Sequence, residues 1–178
     1  FTFPQPARSG LKVVSIQNVQ KHYDTVTVYD DLSFEVERGD RIALVGPNGS
    51  GKSTLIKLIG DVIQPSFGEV NLGYHVVTNY YAQHQLEALD PKYTVFQTIE
   101  GMSSEIGYTQ IRSFLGTFQF SGDDVNKKVS ILSGGEKARL ALAKMLIDPG
   151  NLLLMDEPTN HLDIKAQDVL TRALHQYT

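Results

Sequence analysis

Apolar positions recur along the chain with two different periods, and the switch between them marks out the elements. Residues 11–16 and 32–36 carry β-branched side chains in partial alternation, as strands do. The turn Glu37-Arg38-Gly39-Asp40 then leads into residues 41–45, a compact apolar run suited to a buried strand. From Ser53 the period lengthens, with Leu55, Ile56, Leu58, Ile59 and Val62 at helical spacing, so the order is strand, glycine-rich turn, helix. Beyond Pro65-Ser66-Phe67-Gly68, residues 69–72 and 75–81 read as two strands that turn at Gly73. Residues 86–129 are mainly of helical period, in 95–102 and 111–118, interrupted by Gly101, Gly107, Gly116 and Gly122. The pattern predicts an α/β core with a small helical subdomain, residues 85–132, inserted in it. The core resumes with a helix from Ser133 through Ile147, an apolar strand at 152–155 and a last helix from about 164 to 177. Residues 1–10, with two Pro, a Ser and a Gly, read as the end of a linker, which places the domain at 11–178.

Composition excludes several classes of function. The 178 residues, 41% of them apolar, suffice for one domain with an ordinary core. Without a cysteine there is no disulfide, thiolate metal site or cysteine nucleophile, which fits a reducing compartment and makes the cytoplasm the expected location. Sixteen Lys plus Arg against 20 Asp plus Glu leave a net charge of −4, which excludes a strongly basic nucleic-acid arm. No run approaches the roughly 20 apolar residues of a membrane-spanning helix. The start at Phe1, without signal-peptide features, points to a piece of a longer protein. The five histidines lack metal-ligand spacing, and no repeat is present, so the function must be read from local motifs.

Gly46-Pro47-Asn48-Gly49-Ser50-Gly51-Lys52-Ser53 fits the phosphate-loop pattern G-x-x-x-x-G-K followed by Ser or Thr, between a predicted strand and a predicted helix. Glycines let successive backbone N–H groups turn toward phosphate oxygens, and the helix that begins near Gly51 and continues through Thr54 adds the positive end of its dipole. Lys52 is expected to reach the β and γ phosphates, and the Ser53 hydroxyl to meet Mg²⁺. A second signal follows the apolar strand 152–155, where Asp156 and Glu157 stand at the strand end that binds ligands in open α/β sheets. There Asp156 is expected to hold Mg²⁺ through its hydration shell and Glu157 to polarise the attacking water; alone, the two carboxylates would also suit a solvated acidic turn. The third is Leu132-Ser133-Gly134-Gly135-Glu136. Ser133 and Glu136 satisfy a capping box, but capping does not require the paired glycines, which leave open N–H groups at a helix start.

Taken together, residues 46–53, 132–136 and 152–157 resemble the Walker A, signature and Walker B motifs of an ATP-binding cassette domain. The resemblance implies a phosphate-loop α/β core with an antiparallel β subdomain and an inserted helical subdomain. It also implies a head-to-tail pair of cassettes, in which Ser133, Gly134, Gly135 and Glu136 serve the ATP held by the partner. Other positions match one by one. Tyr23 resembles the aromatic that stacks on adenine, Gln83 the glutamine that touches Mg²⁺ and the attacking water, and Asp163 the aspartate at the cassette interface, although an N-cap for the last helix is an equally physical role. A switch histidine is expected beyond another strand, and His175, inside a helical pattern, does not match it; the C-terminal end of the cassette is therefore expected to be truncated.

The runs Tyr80-Tyr81-Ala82-Gln83-His84, LSGGEKARLALAKML from Leu132 and DEPTNHLD from Asp156 are similar to the ABC-F subfamily. Members carry two cassettes on one chain, lack transmembrane domains, are cytoplasmic and typically act on the ribosome in translation. The 81 residues from Lys52 to Ser133 are too few for the helical arm of a first cassette, so a second cassette is expected. The resemblance implies an ATPase that uses ATP and Mg²⁺, closes on a second cassette, and is weakly active when alone. A nucleotide-binding subunit of a transporter shares all three motifs and is the alternative; a module in which nucleotide acts only as dimer glue is a third reading. A GTPase is disfavoured because Asn126-Lys127-Lys128-Val129 lacks the Asp of a base-reading motif.

Overall fold

The computed structural model describes residues 4–81, 89–102, 106–160 and 162–177. They form two compact units, one of residues 7–80 with 150–156 and the other built mainly from 81–149 with 157–178.

In the first unit, strands β1 (Lys12–Tyr23) and β2 (Val26–Glu37) form an antiparallel hairpin, and β3 (Phe67–Leu72) pairs antiparallel with the other edge of β1. Both long strands extend well past the segments that alternation marks, because register shifts at Ile16–Val19 and Val19–Lys21 break the alternation without ending the ladder. Helix α1 (Lys52–Ile59) buries Leu55, Ile56, Leu58 and Ile59 in a core shared with Val14, Ile16 and Val19 of β1 and Leu154 of β5 (Leu152–Met155). Gly60 closes the helix, its N–H donating to the Ile56 carbonyl at 2.9 Å. Strand β4 (Thr78–Tyr81) pairs with β5 in a separate two-stranded sheet.

The strands expected at 69–72 and 75–81 are present as β3 and β4, with a turn between them in which Val76 N–H donates to the Gly73 carbonyl at 3.3 Å; β3 belongs to the β1 sheet and β4 to the β5 sheet. One expectation changes. Residues 41–45 do not form a buried strand: they join no ladder among the described residues, Ile42 is 58% exposed and Val45 92%. Apolar β-branched residues supply strand propensity, but a strand exists only where neighbouring chains take its backbone groups, and propensity cannot supply the neighbour.

The second unit is helical: α2 (Val95–Glu100), α3 (Tyr108–Thr117), α4 (Gly134–Ile147) and α5 (Ile164–Gln176), with 3₁₀ turns at Gly122–Asn126 and Val129–Ile131. Its core includes Val95, Ile99, Phe114, Phe118, Phe120, Leu140 and Leu142. Helix α5 buries Ala166, Val169, Leu170 and Ala173, one stripe at helical spacing. Helix α4 is instead buried almost continuously from Leu140 to Ile147, so its pattern shows a helix embedded on several sides. The helical segment expected at 85–132 falls in this unit, with its first residues outside the described ones.

Candidate functional site

In the first unit, the loop before α1 is held by its own backbone. Ser50 N–H donates to the Pro47 carbonyl at 3.2 Å, and the Lys52 ammonium donates to the carbonyls of Gly46 and Pro47, both at 2.8 Å. Gly49 and Gly51 have φ of 80° and 93°, the left-handed region that glycine reaches without strain. Space reinforces the requirement at Gly51, where a Cβ would lie 2.7 Å from a Val28 methyl and 2.8 Å from the Tyr29 hydroxyl. That hydroxyl donates to the Gly51 carbonyl at 2.8 Å, pinning the helix start to β2, and burial raises the Tyr29 pKa. No side chain caps α1 and no acidic residue stands in its first turn. The N–H groups at its start and the helix dipole are left for an anion, while Asn48 and Ser50 line the exposed loop and Thr54 continues the turn.

At the base of the loop, Ser53 Oγ donates to Asp156 Oδ1 at 3.0 Å, joining residues 103 positions apart. Strand β5 makes this meeting possible: Leu154 is buried against α1, so the residue after Met155 emerges beside the helix start. Two hard oxygen donors at this spacing suit Mg²⁺, whose adjacent octahedral ligands lie roughly 3 Å apart and which keeps several waters. Among the described residues no cluster of three or more His, Asp or Glu could enclose a metal. Asp156 also raises the pKa of half-buried Tyr80, after the larger effect of burial. Tyr23 ends β1 with 45% exposure, and the Lys21 ammonium lies 5.0 Å from its ring centroid.

The second unit holds the remaining motif residues. Ser133 caps α4 as expected: its Oγ accepts from Glu136 N–H at 3.3 Å, and its own N–H donates to Glu136 Oε2 at 2.8 Å. The Ser133 backbone bond, more than the Ser133 side chain and Lys127, holds the Glu136 carboxyl below its ordinary pKa. Gly134 and Gly135 are exposed, and a Cβ on either would meet nothing within 4 Å. Glu157 is exposed at φ 47°, an uncommon conformation for a residue with a side chain, in a turn where Asn160 N–H donates to its carbonyl at 3.0 Å and the Asn160 amide to its carboxylate. Asp163 caps α5, Oδ1 accepting from Ala166 N–H at 2.8 Å, while Oδ2 accepts from Arg139 Nη1 at 2.6 Å. The Ala166 bond first, then Arg139, keeps the Asp163 pKa low. Gln83 lies outside the described residues.

Sequence reasoning passed over Tyr29 and Arg139. Nothing in the local pattern marks Tyr29. For Arg139 a signal existed: a charge between Ala138 and Leu140 interrupts an apolar run.

A strand-borne carboxylate meeting the serine at the start of α1, on a mixed α/β scaffold, is the arrangement expected of a phosphate-loop nucleotide-binding cassette. Residues 29–160 match the family described as ABC transporter, and the chain belongs to that family. It is 43% identical over 176 residues to ABC transporter F family member 2 of Arabidopsis thaliana, covering 98% of this chain and 26% of the relative. Over 178 residues it is 40% identical to the energy-dependent translational throttle protein EttA of Escherichia coli (strain K12), covering 98% of this chain and 32% of the relative. The chain thus spans about a quarter to a third of the length of these relatives. Among solved structures, the ATP-binding cassette MJ0796, in a dimeric post-hydrolysis state bound to ADP and Pi, superposes with a TM-score of 0.72 at 24% identity. That alignment covers 90% of this chain and 81% of the other, and it establishes the ABC ATPase fold. Among the described residues no helix is long and apolar enough to cross a membrane.

Proposed function

We propose that this chain is the ATP-binding and ATP-hydrolysing cassette of a cytoplasmic ABC-F protein, the second of two cassettes, whose ATP-driven closure acts on the ribosome. The observation that carries the catalytic part is the 3.0 Å meeting of Ser53 and Asp156 at the start of an uncapped helix. The names of the relatives, an F family member and a translational throttle, support the translational part.

In this reading the backbone of residues 46–51 cradles the phosphates of ATP, Lys52 leaves its two loop carbonyls for the β and γ phosphates, and Tyr23 offers its exposed ring to adenine. Ser53 and Asp156, with Gln83, hold Mg²⁺, which neutralises charge on the phosphates when bound. Glu157 accepts the proton of the water that attacks the γ phosphorus, a role commonly worth ~10²–10⁴ in rate. Ser133, Gly134, Gly135 and Glu136 face the triphosphate of a second cassette, with Asp163 at the same interface. The space beside Gly134 and Gly135 supports this, since a Cβ on either would meet nothing within 4 Å. The domain spans 11–178 with its helical subdomain at 85–132, and a cassette without its partner's signature hydrolyses slowly.

Ribosome co-sedimentation of the full-length Glu157→Gln variant tests the proposal. ATP should trap the closed form and carry it into the ribosomal pellet, whereas wild type, able to reset, should pellet less. Equal distribution of the two proteins with ATP would overturn it, and co-purification with integral membrane proteins instead would favour a transporter subunit.

A further inference from the structure

The proposed function leaves a buried charge in the second unit unexplained. The Arg139 side chain is only 15% exposed, its guanidinium carbon lies 5.8 Å from the centroid of Phe120, and its Nε is buried without a hydrogen-bond partner among the described residues. An arginine in this setting is a poor source of stability, since desolvating the ion and leaving a donor unmet offset the attraction to Asp163. What the arrangement supplies is geometry. Nη1 of Arg139, on the helix that begins with the open glycines, fixes one oxygen of Asp163 while the other caps α5. Asp163 is in turn the far end of a short run of turns that starts at Glu157: Asn160 N–H bonds back to the Glu157 carbonyl, and Leu162 N–H to that of Thr159 at 3.2 Å. Glu157 sits at positive φ, so its orientation depends on how firmly this run is anchored.

We propose that Arg139 is a positioning residue for Glu157: acting through Asp163, it ties the turn that carries the catalytic carboxylate to the helix that carries the open glycines. Engagement of Gly134 and Gly135 by a nucleotide is thereby communicated to the group that activates water. The inference rests on the role given to Glu157 above.

Steady-state ATP hydrolysis by the full-length protein tests it. Arg139→Met should lower kcat about tenfold or more while KM for ATP stays within about twofold and the melting temperature does not fall. Asp163→Ser, which keeps an oxygen to cap α5 but has none to spare for Arg139, should lower kcat likewise, with a lower melting temperature because Arg139 is left without its carboxylate, and the double variant should hydrolyse ATP no more slowly than either single one. Arg139→Lys, still able to reach Asp163 with one bond, should recover part of the rate. Unchanged kcat in both single variants, losses that multiply in the double variant, or a melting temperature of Arg139→Met that drops in step with its activity would each overturn the proposal. If Arg139→Met fails to fold, Asp163→Ser and Arg139→Lys decide. Glu157→Gln separates the two levels: if it hydrolyses ATP at the wild-type rate, the reading of Glu157 itself fails; if it is inactive while Arg139→Met keeps the wild-type rate, only the coupling through Arg139 fails.

Discussion

Helices α1 and α4 both begin at glycines, and their starts are built in opposite ways. At α1, Gly51 has φ 93° with a valine methyl and a tyrosine hydroxyl where a side chain would go, and no side chain caps the helix. At α4, Ser133 and Glu136 complete a capping box, while Gly134 and Gly135 are helical with open space where their side chains would be. The first glycine is required by the fold of its own unit. The second pair is not, and in a helix it costs stability, because glycine is roughly 1 kcal/mol less favourable there than alanine. A fold-imposed glycine and a fold-opposed glycine can both serve phosphate, but only the second kind has open space beside it, which in the proposed function is filled by the phosphate of a second cassette.

Substitution at the first site should have the largest effect. Gly51→Ala must hold a left-handed alanine against Val28 and Tyr29, which should cost about 2–4 kcal/mol of stability, measurable by urea unfolding, and abolish ATP binding. A stable, ATP-binding Gly51→Ala protein would erase the distinction. A smaller effect concerns the cap at α4. Glu136 has a folded pKa lowered by its bonds to Ser133, so its contribution is complete above the ordinary glutamate range and is lost as pH falls through the lowered value. Glu136→Gln, which removes the titration, should therefore flatten the decline of melting temperature with acid below roughly pH 4.5 while changing little at neutral pH. An unaltered acid profile would show that the cap does not depend on that carboxylate.

How much could be read in advance differs between motif and architecture. The family was legible because residues 46–53, 132–136 and 152–157 each show particular residue types at fixed local spacing, and β5 emerged at residues 152–155 for the same local reason. Pairing was not legible. Nothing in residues 69–81 reveals that β3 joins β1 while β4 joins β5, and the apolar run 41–45 resembled a buried strand although no described strand receives it. Long-range side-chain contacts were equally silent: the bond from Tyr29 to the Gly51 carbonyl depends on where β2 lies, and the pair Arg139–Asp163 on how α4 meets the start of α5.

The contrast between the two helix starts is tested most directly at Gly135. The full-length Gly135→Ala protein should melt at the same temperature as wild type or slightly higher, because alanine favours the helix and its methyl enters empty space, yet its ATP hydrolysis should fall at least about tenfold as that methyl obstructs a partner's phosphate. Undiminished hydrolysis in a protein at least as stable as wild type would show that nothing approaches the open glycines of α4, contradicting their assignment to a second nucleotide.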